Sequence, residues 1–176
     1  MEARKVVQRF LVPSFVVTVY YLLRYGCKIS PRAEVELSPR LRIGKGSQIG
    51  SFTKLKATDG DVSIGSHVHI GTCCFISASA GGVRIGDHCL ISPNVCIVGN
   101  NYRYDRLDIP VALQEKTSRG ITIGNDVWIG AGCIVMDGAD IGDHCIVAPN
   151  SVVTGRLEAC TVSEGQPARP LFVRRP

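Results

Sequence analysis

No two cysteines in this chain are spaced C-x-x-C, so none of the usual zinc-site spacings is present and no metal is expected. No apolar run approaches the roughly 20 residues that a membrane span needs. The run FLVPSFVVTVYYLL at residues 10–23 stops at 14. No A-x-A-like cleavage site follows it, which argues against a secretory signal peptide. Aromatic residues are few, at 6%, yet 45% of the chain is apolar and 19 residues are glycine. That mixture excludes both a disordered chain and a collagen-like one. Charge of one sign is also missing over most of the length. Beyond residue 32, 14 basic residues face 14 acidic ones, so no nucleic-acid partner is expected.

The formal charge of +5 therefore sits in the first 32 residues, where Arg4, Lys5, Arg9, Arg24, Lys28 and Arg32 face only Glu2. This basic, apolar arm has two readings. One is peripheral contact of residues 1–26 with the inner face of the cytoplasmic membrane, in a cytoplasmic protein. The other is a helix packed on its own domain or on a sister subunit.

From residue 43 onward, aliphatic residues recur in steps of six. Ile43, Ile49 and Leu55 come first, then Ile64, Ile70 and Ile76, then Ile85, Ile91 and Ile97. After an interruption follow Ile123, Ile129, Val135, Ile141, Val147 and Val153. Glycine comes directly after eight of these fifteen, at 44, 50, 65, 71, 86, 124, 130 and 142. A period of six matches neither a helix nor a hairpin. It is the hexapeptide pattern of a parallel β-helix, in which three short strands make one triangular coil. The period predicts about five coils over residues 33–165, preceded by the arm at 1–32 and followed by a tail at 166–176. Leu55 to Ile64 and Ile76 to Ile85 each exceed the period by three residues, and Ile97 to Ile123 exceeds it by far more. All three excesses follow the third hexapeptide of a coil, so all leave from one edge of the prism. The extended loop at 98–122 is one of them.

Four residues after each aliphatic lies a second, small inward position. Ser47, Thr53, Val68, Cys74, Cys89, Val95, Val127, Cys133, Ala139, Cys145 and Ser151 fill it. Cys74, Cys89, Cys133 and Cys145 are thus core residues, separated within each column by other residues and unable to bridge. His67, His88 and His144 lie three residues after an aliphatic, where a turn is expected. His69 alone among the histidines belongs to an outward strand column, with Gln48, Leu90, Trp128 and Ile146.

The stretch ITIGNDVWIGAGCIVMDGADIGDHCIVAPNSVVTG and the closing EGQPARPLFVRR resemble the hexapeptide-repeat acyltransferases, in their sugar and polysaccharide O-acetyltransferase branch. The resemblance covers about residues 40–176. It implies a left-handed parallel β-helix, a homotrimer, and acetyl-CoA bound between subunits as co-substrate. It also implies direct acyl transfer to a sugar or polysaccharide hydroxyl. The V-W-I-G-A match makes Trp128 a wall of the cleft and the Ala131 N–H the oxyanion donor. The V-V-T match puts Thr154 at the cofactor, with Arg156 beside it, although the family more often has lysine where this chain has Gly155. Arg169 and Arg174 would meet the CoA phosphates.

In the loop the family carries a histidine as general base. This chain reads N-N-Y-R-Y-D at residues 100–105, with Tyr102 at that histidine's position and Asn100 at the other frequent one. Tyrosine, with a reference pKa near ~10, is a poor base at neutral pH. Asn100, Asn101, Tyr102 and Tyr104 are then acceptor-binding candidates. His69 is the leading candidate for the base, and Asp105 the second. The alternative is a catalytically degenerate member, a CoA- or sugar-binding or scaffolding trimer in polysaccharide biosynthesis.

Overall fold

The computed structural model of the chain describes residues 12–57 and 59–175. The expectations that rest on residues 1–11 lie outside the described residues. After one helix, Ser14–Tyr25, nearly every strand is two or three residues long. Parallel stacking gathers these strands into three sheets, two of six strands and one of eight, which form the faces of a prism.

On the third face, Ile43, Ile64, Ile85, Ile123 and Ile141 pair in register one above the next, and Leu157 continues the file. The first face stacks Ile29, Ile49, Ile70, Ile91, Ile129 and Val147 in the same way. The second stacks Val35, Leu55, Ile76, Ile97, Val135 and Val153. All are buried and form one continuous core. The eleven small inward positions expected from the period are buried as well.

These corner side chains also bond the layers together. Ser47 and Thr53 donate to the carbonyls of Gly65 and Gly71 at 2.8 and 2.7 Å. The thiols of Cys74, Cys89, Cys133 and Cys145 donate equivalently to Ser92, Gly124, Ala148 and Glu158 at 3.0–3.2 Å. Cysteine thus serves as a small apolar residue with a weak donor, and burial pushes the Cys89 thiol up to about 11.

The turns sit where the histidines suggested. His67, His88, Asp126 and His144 all have φ between 51° and 61°, in the left-handed region that His and Asp tolerate better than most residues. They lie along one corner. The rings of His67 and His88 stack 5.1 Å apart, and His144 Nδ1 lies 2.9 Å from Asp126 Oδ2. The glycines directly after the aliphatics have a different cause. A Cβ on Gly86 would lie 2.6 Å from the Gly124 carbonyl oxygen of the next layer, so backbone proximity demands glycine there.

The start of the stack differs from the sequence expectation. Parallel stacking begins at Lys28–Ile29 and Glu34–Val35, inside and just after the segment assigned to the arm. Ile29 and Val35 keep the six-residue step, but no glycine follows either, and that concealed them. The tail is not loose, since Ala168–Val173 runs antiparallel on Thr161–Gly165 and covers that strand's open edge. At the other end the helix closes the core with Val17 and Tyr21, and Gly26 terminates it with φ 66°.

The loop leaves the edge between the second and third faces. Asn101–Tyr102 and Lys116–Thr117 pair antiparallel as its stem. Buried Gln114 donates from Nε2 to the carbonyls of Arg106 and Ile109 at 2.7 and 3.2 Å. Ser118 Oγ donates to the Gly99 carbonyl and accepts the Gly81 N–H. Asp137, also buried, accepts the N–H groups of Arg119 and Gly120 at 2.8–2.9 Å, which holds the loop's exit.

Two stability predictions follow from this packing. Ile85→Ala is expected to cost about 2–5 kcal/mol in urea unfolding, while Arg84→Ala, outward on the same strand, stays within about 0.5 kcal/mol. Equal effects would contradict the interior file. Asp137→Ala removes the acceptor of two partly exposed N–H groups, at about 0.5–1.5 kcal/mol for each hydrogen bond lost. Limited proteolysis should then cut first within 99–120, and an unchanged cleavage pattern would remove Asp137 as the anchor.

Candidate active site

Trp128 stands outward on the first face, in the column Lys28, Gln48, His69, Leu90, Trp128, Ile146. The strand pairing places it there, and its indole N–H donates to Ser92 Oγ at 3.0 Å. The ring remains 44% exposed, which leaves a broad apolar surface beside Leu90. Ser92 as the group that orients the indole went unnoticed in the sequence. Its signal was available, because Ser92 and Gly130 hold the same repeat position in adjacent layers.

The chain turns from the first face to the second directly after Trp128–Ile129, and Ala131 is at that corner. The equivalent residues one layer below and one layer above are Pro93 and Pro149. Backbone bonds establish the register, since Gly132 donates to the Pro93 carbonyl at 3.1 Å and Asn150 to the Ala131 carbonyl at 2.9 Å. The Ala131 N–H donates no hydrogen bond among the described residues. In three successive layers, Ala131 is thus the single residue at this position with an N–H to offer, and it is exposed. An outward, unpaired amide donor of this kind suits an anionic oxygen.

His69 lies two strand spacings from Trp128, about 10 Å along the axis. It lines a surface depression of about 280 Å³ with Lys28, Ser30, Gln48 and Gly50. Its ring has no hydrogen-bond partner or ion pair among the described residues. Asp105 has a partner, the Arg103 guanidinium at 3.4 Å, which also reaches Glu115 at 3.6 Å. The Tyr102 ring is 40% exposed and carries the Lys116 ammonium 5.2 Å from its centroid. Tyr104 is almost fully exposed, while Asn100 and Asn101 are partly covered at the loop's stem.

The cofactor-side candidates separate into two groups. Thr154 is exposed, and a Cβ on Gly155 would meet open space, so packing does not exclude a longer residue there. Arg169 is exposed on the antiparallel strand without an ion pair among the described residues. Arg156 is engaged by Glu158 at 2.8 Å and Asp140 at 3.9 Å, and these carboxylates push its pKa up. Arg174 donates to the His144 carbonyl at 2.8 Å and so lies against the histidine corner. Both guanidinium groups are thus held by this chain's own oxygens.

Within one chain these candidates do not converge. Trp128 belongs to the first face and Ala131 to the corner between first and second. Tyr102 and Asp105 are on a loop that leaves the opposite edge of the second face. No hydrogen bond or ion pair among the described residues joins the loop to Trp128 or Ala131. Among the described residues no cluster of three metal-ligating side chains occurs.

Comparison with known proteins agrees with this architecture. Residues 120–155 match the family model "Bacterial transferase hexapeptide (six repeats)", and residues 61–99 match "Hexapeptide repeat of succinyl-transferase". A dTDP-4-amino-4,6-dideoxy-D-glucose acyltransferase of Escherichia coli is 32% identical over 152 residues, covering 84% of this chain and 79% of the relative. A protein of Escherichia coli K12 named for lipopolysaccharide-biosynthesis O-acetyl transfer, WbbJ, is 29% identical over 156 residues, with 84% and 76% covered. A Lysinibacillus sphaericus protein named for macrolide acetylation is 33% identical over 103 residues, and this chain spans only 56% of its length. Among solved structures, AntD, an N-acyltransferase from Bacillus cereus in complex with dTDP and coenzyme A, superposes with a TM-score of 0.76. It is 23% identical, with 85% of this chain and 82% of AntD covered. The stacked six-residue period and a relative above 30% identity, covered over 79% of its length, lead to one conclusion: the chain belongs to the hexapeptide-repeat acyltransferases.

Proposed function

We propose that this protein transfers an acyl group, acetyl in the first instance, from its CoA thioester directly to a hydroxyl of a sugar or polysaccharide. The unpaired Ala131 N–H beside Trp128 is the observation that carries the reading. When the acceptor oxygen attacks the thioester carbonyl, negative charge moves onto the carbonyl oxygen, and a preorganised backbone donor stabilises it. Collapse then expels CoA as a thiolate, which takes up a proton. Trp128 walls the acyl side, while Thr154 and Arg169 hold the cofactor. The names of the O-acetyl and acyl transferases above support sugar acceptors, and the CoA in the AntD complex supports the donor.

Assembly as a homotrimer belongs to the same proposal, as do left-handed winding and work on the cytoplasmic side of the membrane, where CoA thioesters are made. The topology supports more than one copy. A loop on one edge and an oxyanion donor on another meet most directly when the loop of one copy reaches the corner of the next.

His69 is the proposed base for the acceptor hydroxyl, with Tyr102 and Asn101 holding the sugar. A second reading is favoured by one observation, that Tyr102 occupies the loop position of the family's base. An unprotonated amine attacks a thioester without prior deprotonation, whereas an alcohol needs a base worth typically ~10²–10⁴-fold. An amino-sugar acceptor would tolerate the missing histidine, as the name of the Escherichia coli amino-sugar relative suggests.

Acetyl-CoA at about a hundred times its dissociation constant should stabilise the native protein by about 2.7 kcal/mol in thermal melts. Free thiol should then appear only when a sugar acceptor is added. Stabilisation without turnover on any hydroxyl or amino sugar identifies the degenerate binder instead, and neither signal identifies a scaffold. Ala131→Pro places at this corner the residue that both flanking layers already carry, so the fold should tolerate it. Turnover should fall about 10²–10³-fold with acetyl-CoA stabilisation retained, and unchanged turnover would remove the Ala131 N–H from the mechanism.

His69→Ala should abolish transfer to hydroxyl acceptors, and Tyr102→His should raise it. If His69→Ala is silent and amino sugars outpace hydroxyl sugars, the amine reading replaces the hydroxyl one.

A further inference from the structure

The helix Ser14–Tyr25 is apolar all round except for Ser14, Thr18 and Arg24, and the core uses only a narrow stripe of it. Val17 and Tyr21, one turn apart, are buried. The opposite side carries Phe15, Val19, Leu22 and Leu23 with 47–80% of their surface exposed, and Val16, Tyr20 and Tyr25 flank them at 40–45%. A helix apolar on every side is normally buried on every side. Exposed apolar patches of this kind mark a surface that meets a partner or a lipid phase. Twelve residues make a helix about 18 Å long, and among the described residues no helix is long and apolar enough to cross a membrane. The geometry is that of a helix lying in an interface.

Charge selects the occupant. Arg24, Lys28 and Lys45 lie at the helix's C-terminal end, with Lys45 packed beside Gly26, and Arg32 follows the next strand at the same end of the prism; none makes an ion pair among the described residues. Glu34, the acid closest in sequence, is engaged by Lys54 at 2.6 Å. The first 32 residues carry the whole formal charge of +5, while the remainder is balanced. A second copy would bring the same positive charge to this face and be repelled, whereas an anionic lipid surface complements it. The aromatic rings agree. Exposed Tyr20 and Tyr25 pack 6.1 Å apart, centroid to centroid, around buried Tyr21, and Arg24 lies over Tyr25. On the same end of the prism Arg32 lies over exposed Phe52. Amphipathic rings beside arginine suit the headgroup level of a bilayer.

We propose that the outer face of the Ser14–Tyr25 helix docks the protein on an anionic membrane. Phe15, Val19, Leu22 and Leu23 enter the headgroup–acyl boundary, and Arg24, Lys28, Arg32 and Lys45 bind the phosphates. The prism then stands with its N-terminal end on the lipid. This inference is independent of the acyl-transfer reading, because vesicle binding is measured without turnover.

The test is co-sedimentation of the full chain with phosphatidylcholine vesicles, with and without phosphatidylglycerol. Binding is expected to the mixed vesicles, to weaken as salt rises, and to be slight on phosphatidylcholine alone. Val19→Glu with Leu23→Glu should reduce binding on the order of a hundredfold, with an unchanged melting temperature because both side chains face outward. Arg24→Ala with Lys28→Ala, which spares the apolar face, should reduce it about fivefold per charge. No binding to the mixed vesicles, or equal binding by both variants, overturns the proposal. So does a fall in oligomer mass in the glutamate variant without any change in vesicle binding, since that assigns the face to another copy of the chain.

Discussion

Each layer of the prism lies about 4.8 Å from the next, joined by parallel-strand hydrogen bonds, so a residue at any position is chosen against its equivalents one layer up and one layer down. That spacing sets the aliphatic files, because a branched side chain fills one layer's share of the interior. It also demands glycine where two backbones approach most closely, as at Gly86 and Gly124. It gives small donors such as Thr53 and Cys133 a carbonyl to bond in the adjoining layer. Stability is shared among many equivalent contacts between neighbouring layers, as expected of a stacked fold.

The candidate site arises where the stack is interrupted. Prolines at 93 and 149 remove the amide donor from two layers, and Ala131 restores it in the layer between them. The loop is a larger interruption, held at its base by Gln114, Ser118 and Asp137 while most of its own side chains face outward. A rigid scaffold carrying an outward loop is a common arrangement for binding and catalytic residues. Loop and corner occupy opposite edges of one face, and the proposed trimer is the assembly that would bring them together. The helix at the N-terminal end is a third outward feature, and it faces along the axis rather than toward either edge.

The position of Tyr102 changes how the active site is understood. With histidine there, the loop would supply the base and the first face only a wall. With tyrosine, the proposed reading gives that demand to His69, or takes an acceptor that needs no base. Arg103 already claims Asp105, so that carboxylate is committed to the loop's own ion pairs.

Most of the fold was legible in the residues because the period is local. Ile64, Ile85, Ile123 and Ile141 identify an interior file, the nine-residue steps identify the loop's edge, and the cysteine and histidine positions follow from the same count. The start of the stack was less legible, since Ile29 and Val35 lack the following glycine that marks later repeats. Of the candidate site, single outward positions were legible, and the structure leaves Trp128 and Thr154 exposed as the period implied. Tertiary structure decided the rest, because it depends on which groups the stacked layers bring together. Arg156 is taken by Asp140 and Glu158, and Arg174 by the His144 carbonyl. The Ala131 N–H stands alone between two prolines, and the terminal helix buries one stripe while leaving the other bare. A six-residue rhythm specifies which way each side chain points, but only the stacked layers determine what it meets there.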